Sequence, residues 1–321
     1  MHFIEKSGYQ PPNNFIFKNA HLSTIIPGAI KKYPVPPYSR EKLELPDGDF
    51  LLLDWWINDS TDSIVIISHG LEGHSRRTYI NSCADYFHKF GYSVLAWNQR
   101  SCGGEINRLP KLYHMGLIDD LKCVVNQAIY SGFKKIHLIG YSMGGIVTLN
   151  YAGKINVPEE VKSCITFSTP LNVLQNVKAF KKTSNFFYFH NFMVDFKKKL
   201  IFKHSQFPDI FNIKQAKSIK SFDDLDSLFT APIYGFANKE EYYLKVSPLF
   251  VLNNIKTPTL IVNAENDPFL TEENYLDRYE ISNPNIYFEK PKYGGHVGFP
   301  LHNSKFSWAE IRAKEFIDSI L

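Results

Sequence analysis

Gly140-Tyr141-Ser142-Met143-Gly144 follows directly on the apolar run Ile136-His137-Leu138-Ile139 and leads into Gly145-Ile146-Val147-Thr148-Leu149, which begins a helical pattern. A serine flanked at both second neighbours by glycine, between a buried strand and a helix, is the setting in which Gly-x-Ser-x-Gly carries chemistry. Such a turn forces the serine into a strained backbone conformation, and the glycines let neighbouring chain approach without a Cβ clash. The Ser142 hydroxyl is then presented above the strand ends, at a helix N-terminus. A glycine-rich turn with an incidental serine is the plain alternative, and the strand and helix on either side argue against it.

Working outward, the chain alternates short, wholly apolar runs with longer helical patterns, which predicts buried parallel strands joined by crossover helices. The runs are Ile64 to Ile67, Ser93 to Trp97, Ile136 to Ile139, Cys164 to Phe167, Thr259 to Val262 and Asn285 to Phe288. Before them, Leu43-Glu44-Leu45 and Leu51-Leu52-Leu53-Asp54-Trp55 flank the turn sequence Pro46-Asp47-Gly48-Asp49, the signal for a β-hairpin. The gap from Phe167 to Thr259 far exceeds the dozen or so residues that a crossover requires. It predicts a helical cap inserted at about 170–247, where Phe189, Phe192, Met193 and Phe196 fall on one helical face. Residues 1–39 show no sustained period and predict an extended N-terminal arm. The whole is expected to be one α/β domain over 1–321, with a mostly parallel central sheet flanked by helices.

A serine hydroxyl is a poor nucleophile at neutral pH, so a base must take its proton and a third group must hold that base. In sheets of this kind both follow the serine, the acid first. After the Thr259 run comes Asn263-Ala264-Glu265-Asn266-Asp267-Pro268, which makes Asp267 the candidate acid and Glu265 the runner-up. Pro268 biases Asp267 towards an extended backbone. After the last run comes Gly294-Gly295-His296-Val297-Gly298-Phe299, which makes His296 the candidate base, with His302 a distant alternative. His2, His88, His190 and His204 are expected on the surface or in satisfied positions. A tetrahedral oxyanion needs donors. The backbone N–H of Met143 and that of Leu71, in the loop His69-Gly70-Leu71-Glu72-Gly73-His74, are the candidates. His69, His74 and Glu72 could be imagined around a metal, but nothing else completes a site, and no metal or cofactor is expected.

Composition bounds the class. The 321 residues are 44% hydrophobic and 21% charged, in the range of globular proteins, with a net charge of +4. Lysines and arginines are spread along the chain apart from short runs such as Lys197 to Lys199, which disfavours nucleic acid as a partner. Cys83, Cys102, Cys123 and Cys164 are widely separated and read as free thiols of a reducing compartment. Neither a secretory leader nor an apolar stretch of membrane-spanning length is visible, so the expected location is the cytoplasm. Nothing in the sequence bears on the oligomeric state.

Taken together these stretches closely resemble the YheT-type α/β-hydrolases, bacterial esterases related to eukaryotic abhydrolase-domain lipases and to yeast medium-chain acyl ester synthases. The resemblance covers nearly the whole chain. Besides the serine, acid and histidine stretches it includes Asn19-Ala20-His21-Leu22-Ser23-Thr24-Ile25-Ile26-Pro27, His69 to Gly73, Asn98-Gln99-Arg100-Ser101-Cys102-Gly103-Gly104-Glu105-Ile106-Asn107-Arg108, Phe222-Asp223-Asp224 and Thr230-Ala231-Pro232. It implies the α/β-hydrolase fold and a triad of Ser142, Asp267 and His296. One departure is Ser101, where the family usually has glycine; another is the membrane anchor of the eukaryotic relatives, which this sequence does not show and which is not carried over. The expected activity is hydrolysis of small-molecule carboxylic esters with short to medium acyl chains. Acyl transfer to an alcohol, or a catalytically silent ligand-binding protein on the same fold, are the alternatives.

Overall fold

The apolar runs are apolar throughout because alternate residues face different cores. In strand β4 (Ser63–Ser68), Ile64 and Ile66 pack with Leu121, Val124 and Val125 of the helix Ile118–Tyr130. Val65 and Ile67 pack on the opposite face, with Ile80, Cys83 and Phe87 of the helix Thr78–Lys89 and Phe316 of the helix Trp308–Ile320. A strand covered by helices on both faces has no polar side to present.

The computed structural model describes residues 1–12, 15–30, 33–181 and 183–320. The other strands are β1 (His2–Ile4), β2 (Ser39–Glu44), β3 (Phe50–Trp56), β5 (Ser93–Asn98), β6 (Lys135–Tyr141), β7 (Val161–Phe167), β8 (Thr259–Val262) and β9 (Ile286–Glu289). They form one sheet in the order β1-β9-β8-β7-β6-β4-β5-β3-β2. Only the β5–β3 and β3–β2 pairings are antiparallel, the latter being the expected hairpin, with Glu44 opposite Phe50 next to its turn. The sheet is thus mostly parallel and flanked by helices, as its sequence pattern implies.

The first 39 residues differ from the expected extended arm. Strand β1 adds to the sheet edge in parallel with β9, His2 opposite Tyr287, and Ala20–Ile30 is helical. Neither has a periodic signature. The strand is only three residues long, and the helix contains Pro27 and Gly28, which argue against one on propensity. The helix starts because the Asn19 side chain accepts the N–H groups of His21 and Leu22, each at 3.0 Å, the N-cap role that asparagine serves well.

Between β7 and β8 the chain is helical, with Val173–Phe180, Phe186–Gln206, Ile213–Ser218 and Lys239–Val246 as its main helices. Met193, Phe196 and Leu200 of the longest pack with Phe211, Tyr242 and Val246, and with Met143 and Ile146 behind Ser142. Among the described residues no helix is long and apolar enough to cross a membrane.

A buried polar hub explains the charged stretch that begins at Asn98. The Arg100 guanidinium meets Asp120 through two hydrogen bonds, of 2.8 and 2.7 Å, and reaches Asp47 at 2.7 Å and Asp49 at 3.2 Å. It therefore ties the hairpin turn to the helix Ile118–Tyr130. Ser101 beside it has φ +61°, a left-handed conformation for which glycine would be unstrained, and its hydroxyl donates to Asn107. Breaking a buried ion pair leaves a charge uncompensated, which costs about 3–5 kcal/mol. Arg100→Met is expected to lower the unfolding free energy by about that much in a denaturant titration, with little change in the native circular dichroism spectrum.

Candidate active site

β6 ends at Tyr141 and the helix Met143–Lys154 begins two residues later, so Ser142 makes the turn by itself at φ +54° and ψ −119°. Strain of this kind costs about 1–3 kcal/mol and persists only where the surroundings enforce it. Here they do. The Ser142 N–H donates to the Phe167 carbonyl at the end of β7, at 2.9 Å. A Cβ on Gly144 would lie 2.2 Å from the Ser68 carbonyl oxygen at the end of β4, and one on Gly145 would lie 1.9 Å from Thr169 Oγ1. The glycines thus allow the helix start to settle between two strand ends.

His296 Nε2 lies 2.9 Å from Ser142 Oγ. On its other side Nδ1 lies 2.8 Å from Asp267 Oδ2 and 3.1 Å from Oδ1. The Asp267 carboxylate is fully buried, and its Oδ1 also accepts the N–H of Phe269 at 2.9 Å. Glu265 faces elsewhere: its carboxylate is nearly half exposed and 3.5 Å from Lys290. His302 is exposed. The structure therefore brings Ser142, His296 and Asp267 together and leaves both alternatives outside.

Three elements hold the histidine loop. The N–H groups of Gly295, His296 and Val297 donate in turn to Asn266 Oδ1, Thr24 Oγ1 and Ser168 Oγ, each at 2.9 Å. Ser23 packs so closely that a Cβ on Gly295 would come within 2.4 Å of its Oγ. The segment Asn19 to Pro27 thereby acquires a physical role, since its helix forms one wall against which the loop is pressed. Phe269 covers the other side of the imidazole, ring centroids 4.5 Å apart.

The loop after β4 passes Ser142 at contact distance, with a Cβ on Gly70 falling 3.2 Å from Ser142 Cβ. Gly70 N–H donates to Tyr79 OH at 3.0 Å and Glu72 N–H to Tyr113 OH at 2.8 Å. Between them, among the described residues, the N–H of Leu71 takes no acceptor, and neither does that of Met143. Glu72 has φ +51°, and its buried carboxylate accepts from Tyr113 OH at 2.7 Å and from Lys199 Nζ at 2.8 Å. Lys199 belongs to the inserted helix Phe186–Gln206, so an ion pair connects that helix to this loop. His69 is engaged at both nitrogens. Its Nδ1 lies 2.7 Å from the Gly70 carbonyl and its Nε2 accepts the Gln99 N–H at 3.1 Å, while burial pushes its pKa down to about 3. That pattern fixes a neutral ring protonated at Nδ1, occupied with shaping the loop.

Two cavities meet at Ser142 and His296. The inner one is walled mainly by apolar side chains that include Ile146, Val173, Phe196 and Leu225. The outer one is bordered by Arg77, Tyr188, Asn191, Phe192 and Asp195. The aromatic face expected on the insert is divided between them. Phe196 lines the inner cavity, Phe192 the outer, Met193 is buried in the core that the insert shares with the helix after Ser142, and Phe189 packs edge-on against Phe222.

The model of the alpha/beta hydrolase fold family matches residues 63–302. The chain belongs to the α/β-hydrolase fold family. This α/β hydrolase is 29% identical to the YheT protein of Escherichia coli (strain K12) over 318 residues, covering 95% of the chain and 92% of that relative. It is also 29% identical to phospholipase ABHD3 of Bos taurus, covering 86% of the chain and 70% of that protein. Identity to a monoacylglycerol lipase of Saccharomyces cerevisiae is 27%, covering 78% of the chain and 58% of the lipase. An esterase of Pyrococcus furiosus superposes with a TM-score of 0.60 at 21% identity, covering 88% of this chain and 90% of that one, which bears on the fold. Its relatives are thus esterases and lipases, and the likeness to the first of them spans 95% of the chain.

Thr24, Asn266, Ser168, Tyr113 and Lys199 are contributors that the sequence pattern does not single out as site residues, since each acts through a backbone group or a carboxylate distant in the chain. Thr24→Val would leave the His296 N–H without its acceptor, a loss of about 1–3 kcal/mol in holding the loop. The rate at which a fluorophosphonate labels Ser142 is expected to fall about tenfold in Thr24→Val and to stay near wild type in Thr24→Ser, with both variants folded by circular dichroism.

Proposed function

We propose that this α/β hydrolase is a serine esterase that cleaves small carboxylic esters with short to medium acyl chains through an acyl-enzyme. The observation that carries the reading is the 2.9 Å contact between His296 Nε2 and Ser142 Oγ at a turn strained to φ +54°. With its Nδ1–H held by Asp267, the imidazole presents a bare Nε2 to the serine hydroxyl. Ser142 Oγ attacks the ester carbonyl as its proton passes to Nε2, and the N–H groups of Leu71 and Met143 take up the charge on the carbonyl oxygen. Collapse of the tetrahedral intermediate breaks the bond to the alkoxy oxygen, which leaves as an alcohol carrying the proton from Nε2. Water then attacks the acyl-enzyme by the same route and releases the acid.

The inner cavity is suited to the acyl chain by its apolar walls, and the outer to the alcohol portion. The four free cysteines, of which Cys83, Cys102 and Cys164 are buried, favour a reducing compartment such as the cytoplasm.

A panel of p-nitrophenyl esters of graded acyl length, run with and without added alcohol, tests the reading. Hydrolysis by the wild type should be lost by about 10⁴ to 10⁶-fold in Ser142→Ala with the thermal melt unchanged. A Ser142→Ala protein as active as the wild type would remove the serine from the mechanism, and predominant ester exchange with the added alcohol would replace hydrolysis by acyl transfer. Asp267→Asn is expected to cost far more activity than Glu265→Gln, because an amide opposite Nδ1 favours the wrong imidazole tautomer; the reverse order would reassign the acid. Phe196→Ala, which opens the inner cavity, should shift the best substrate towards longer acyl chains, read from kcat/KM across the panel.

A further inference from the structure

The helical insert contains a π-helical turn that faces the inner cavity. Residues Asp226–Thr230 are π-helical, between the short helices Phe222–Leu225 and Ala231–Ile233. Single π turns are rare and gather at functional sites, because the wide turn re-aims side chains that an α-helix would place elsewhere. Here both ends of the turn, Asp226 and Thr230, line the cavity.

Asp226 is buried and, among the described residues, makes no ion pair. Its Oδ1 accepts from Thr230 Oγ1 at 2.7 Å and its Oδ2 from Tyr243 OH at 2.8 Å. Each carboxyl oxygen has two acceptor positions, so each keeps one unengaged. Burial raises the pKa of this group to about 6, as expected for a carboxyl kept without a cation. A buried carboxyl with only two neutral donors is costly as packing alone, and a titratable group perturbed in this way in a cleft points to a ligand.

Unengaged donors stand nearby. The Tyr242 hydroxyl accepts the Met115 N–H at 3.2 Å, and among the described residues nothing takes its own proton. His114 accepts the Gly116 N–H at Nδ1, 3.0 Å away, and burial lowers its pKa to about 3, so the neutral ring carries its proton on Nε2. The two rings are neighbours, centroids 5.5 Å apart, and both line the cavity. The cavity wall thus offers an acceptor in Asp226 and donors in Tyr242 and His114.

We propose that this wall recognises a hydroxyl group on the acyl chain, so that the preferred substrates are esters of hydroxylated medium-chain acids rather than of plain fatty acids. A hydroxyl is both donor and acceptor, and it can donate to Asp226 while accepting from Tyr242 or His114. A plain alkyl chain would leave those groups unpaired against hydrocarbon. This rests on the reading of Ser142 as an acylated nucleophile.

The test compares kcat/KM for p-nitrophenyl octanoate with its ω-hydroxy and (ω−1)-hydroxy analogues, with fluorophosphonate labelling of Ser142 in a separate wild-type sample as the check on the nucleophile. At least one hydroxylated ester is expected to exceed the plain one by about tenfold or more. That ratio should fall to about one or below in Asp226→Leu and drop several-fold in Tyr242→Phe, which changes a single hydroxyl and decides the matter if Asp226→Leu does not fold. Hydroxylated esters that are poorer than octanoate in the wild type, or a ratio that neither substitution moves, would overturn the proposal while leaving the esterase reading intact. Absence of labelling and of any ester turnover would remove the esterase reading and this proposal with it.

Discussion

A single residue held at φ +54° sets the terms for everything at the C-terminal ends of the strands. Because Ser142 turns the chain alone, the helix after it must begin within contact distance of the ends of β4 and β7. That proximity requires glycine at 144 and 145, where any side chain would strike Ser68 or Thr169. It also lets Gly70 pass beside Ser142, with Leu71 lining the same cavity as the serine. The strain, the glycines and the loop after β4 are therefore one constraint expressed at three places in the sequence.

The inserted helices add a second layer of control. Lys199 reaches from the helix Phe186–Gln206 to the buried Glu72 carboxylate, which Tyr113 also holds. A buried ion pair of this kind adds little net stability, since desolvation offsets the attraction, and its value lies in fixing one arrangement over others. Four residues further along, Lys203 donates to the Leu109 carbonyl at 2.6 Å, and burial lowers its pKa to about 8. The insert is thus docked by two lysines one helical turn apart, and the cavity beneath it takes its shape from that docking.

Much of this was legible in the sequence, for reasons that differ by element. Strands β3 to β9 announce themselves as apolar runs because both faces are buried, and the serine turn because only glycine fits around it. Asp267 and His296 followed from chain order after β8 and β9. What stayed hidden was anything that depends on a partner remote in sequence. Thr24 is one hydroxyl in a helix disguised by Pro27, and Asp226 looks like one more acidic residue after Phe222-Asp223-Asp224 until the π turn aims it into the cavity. The three residues of β1 are too few to carry a period, and only their pairing with β9 makes them a strand.

The hydrogen bond from the His296 backbone to Thr24 spans 272 residues. Contacts so distant in sequence are slow to form, because the entropy of closing the intervening loop must be met first. During synthesis the helix that carries Thr24 emerges well before the loop that carries His296. The histidine loop therefore acquires its final shape only after the sheet between them has assembled, and partly folded chains would carry Ser142 without His296 beside it. Completion of folding and assembly of the Ser142, His296 and Asp267 cluster are, in this architecture, a single event.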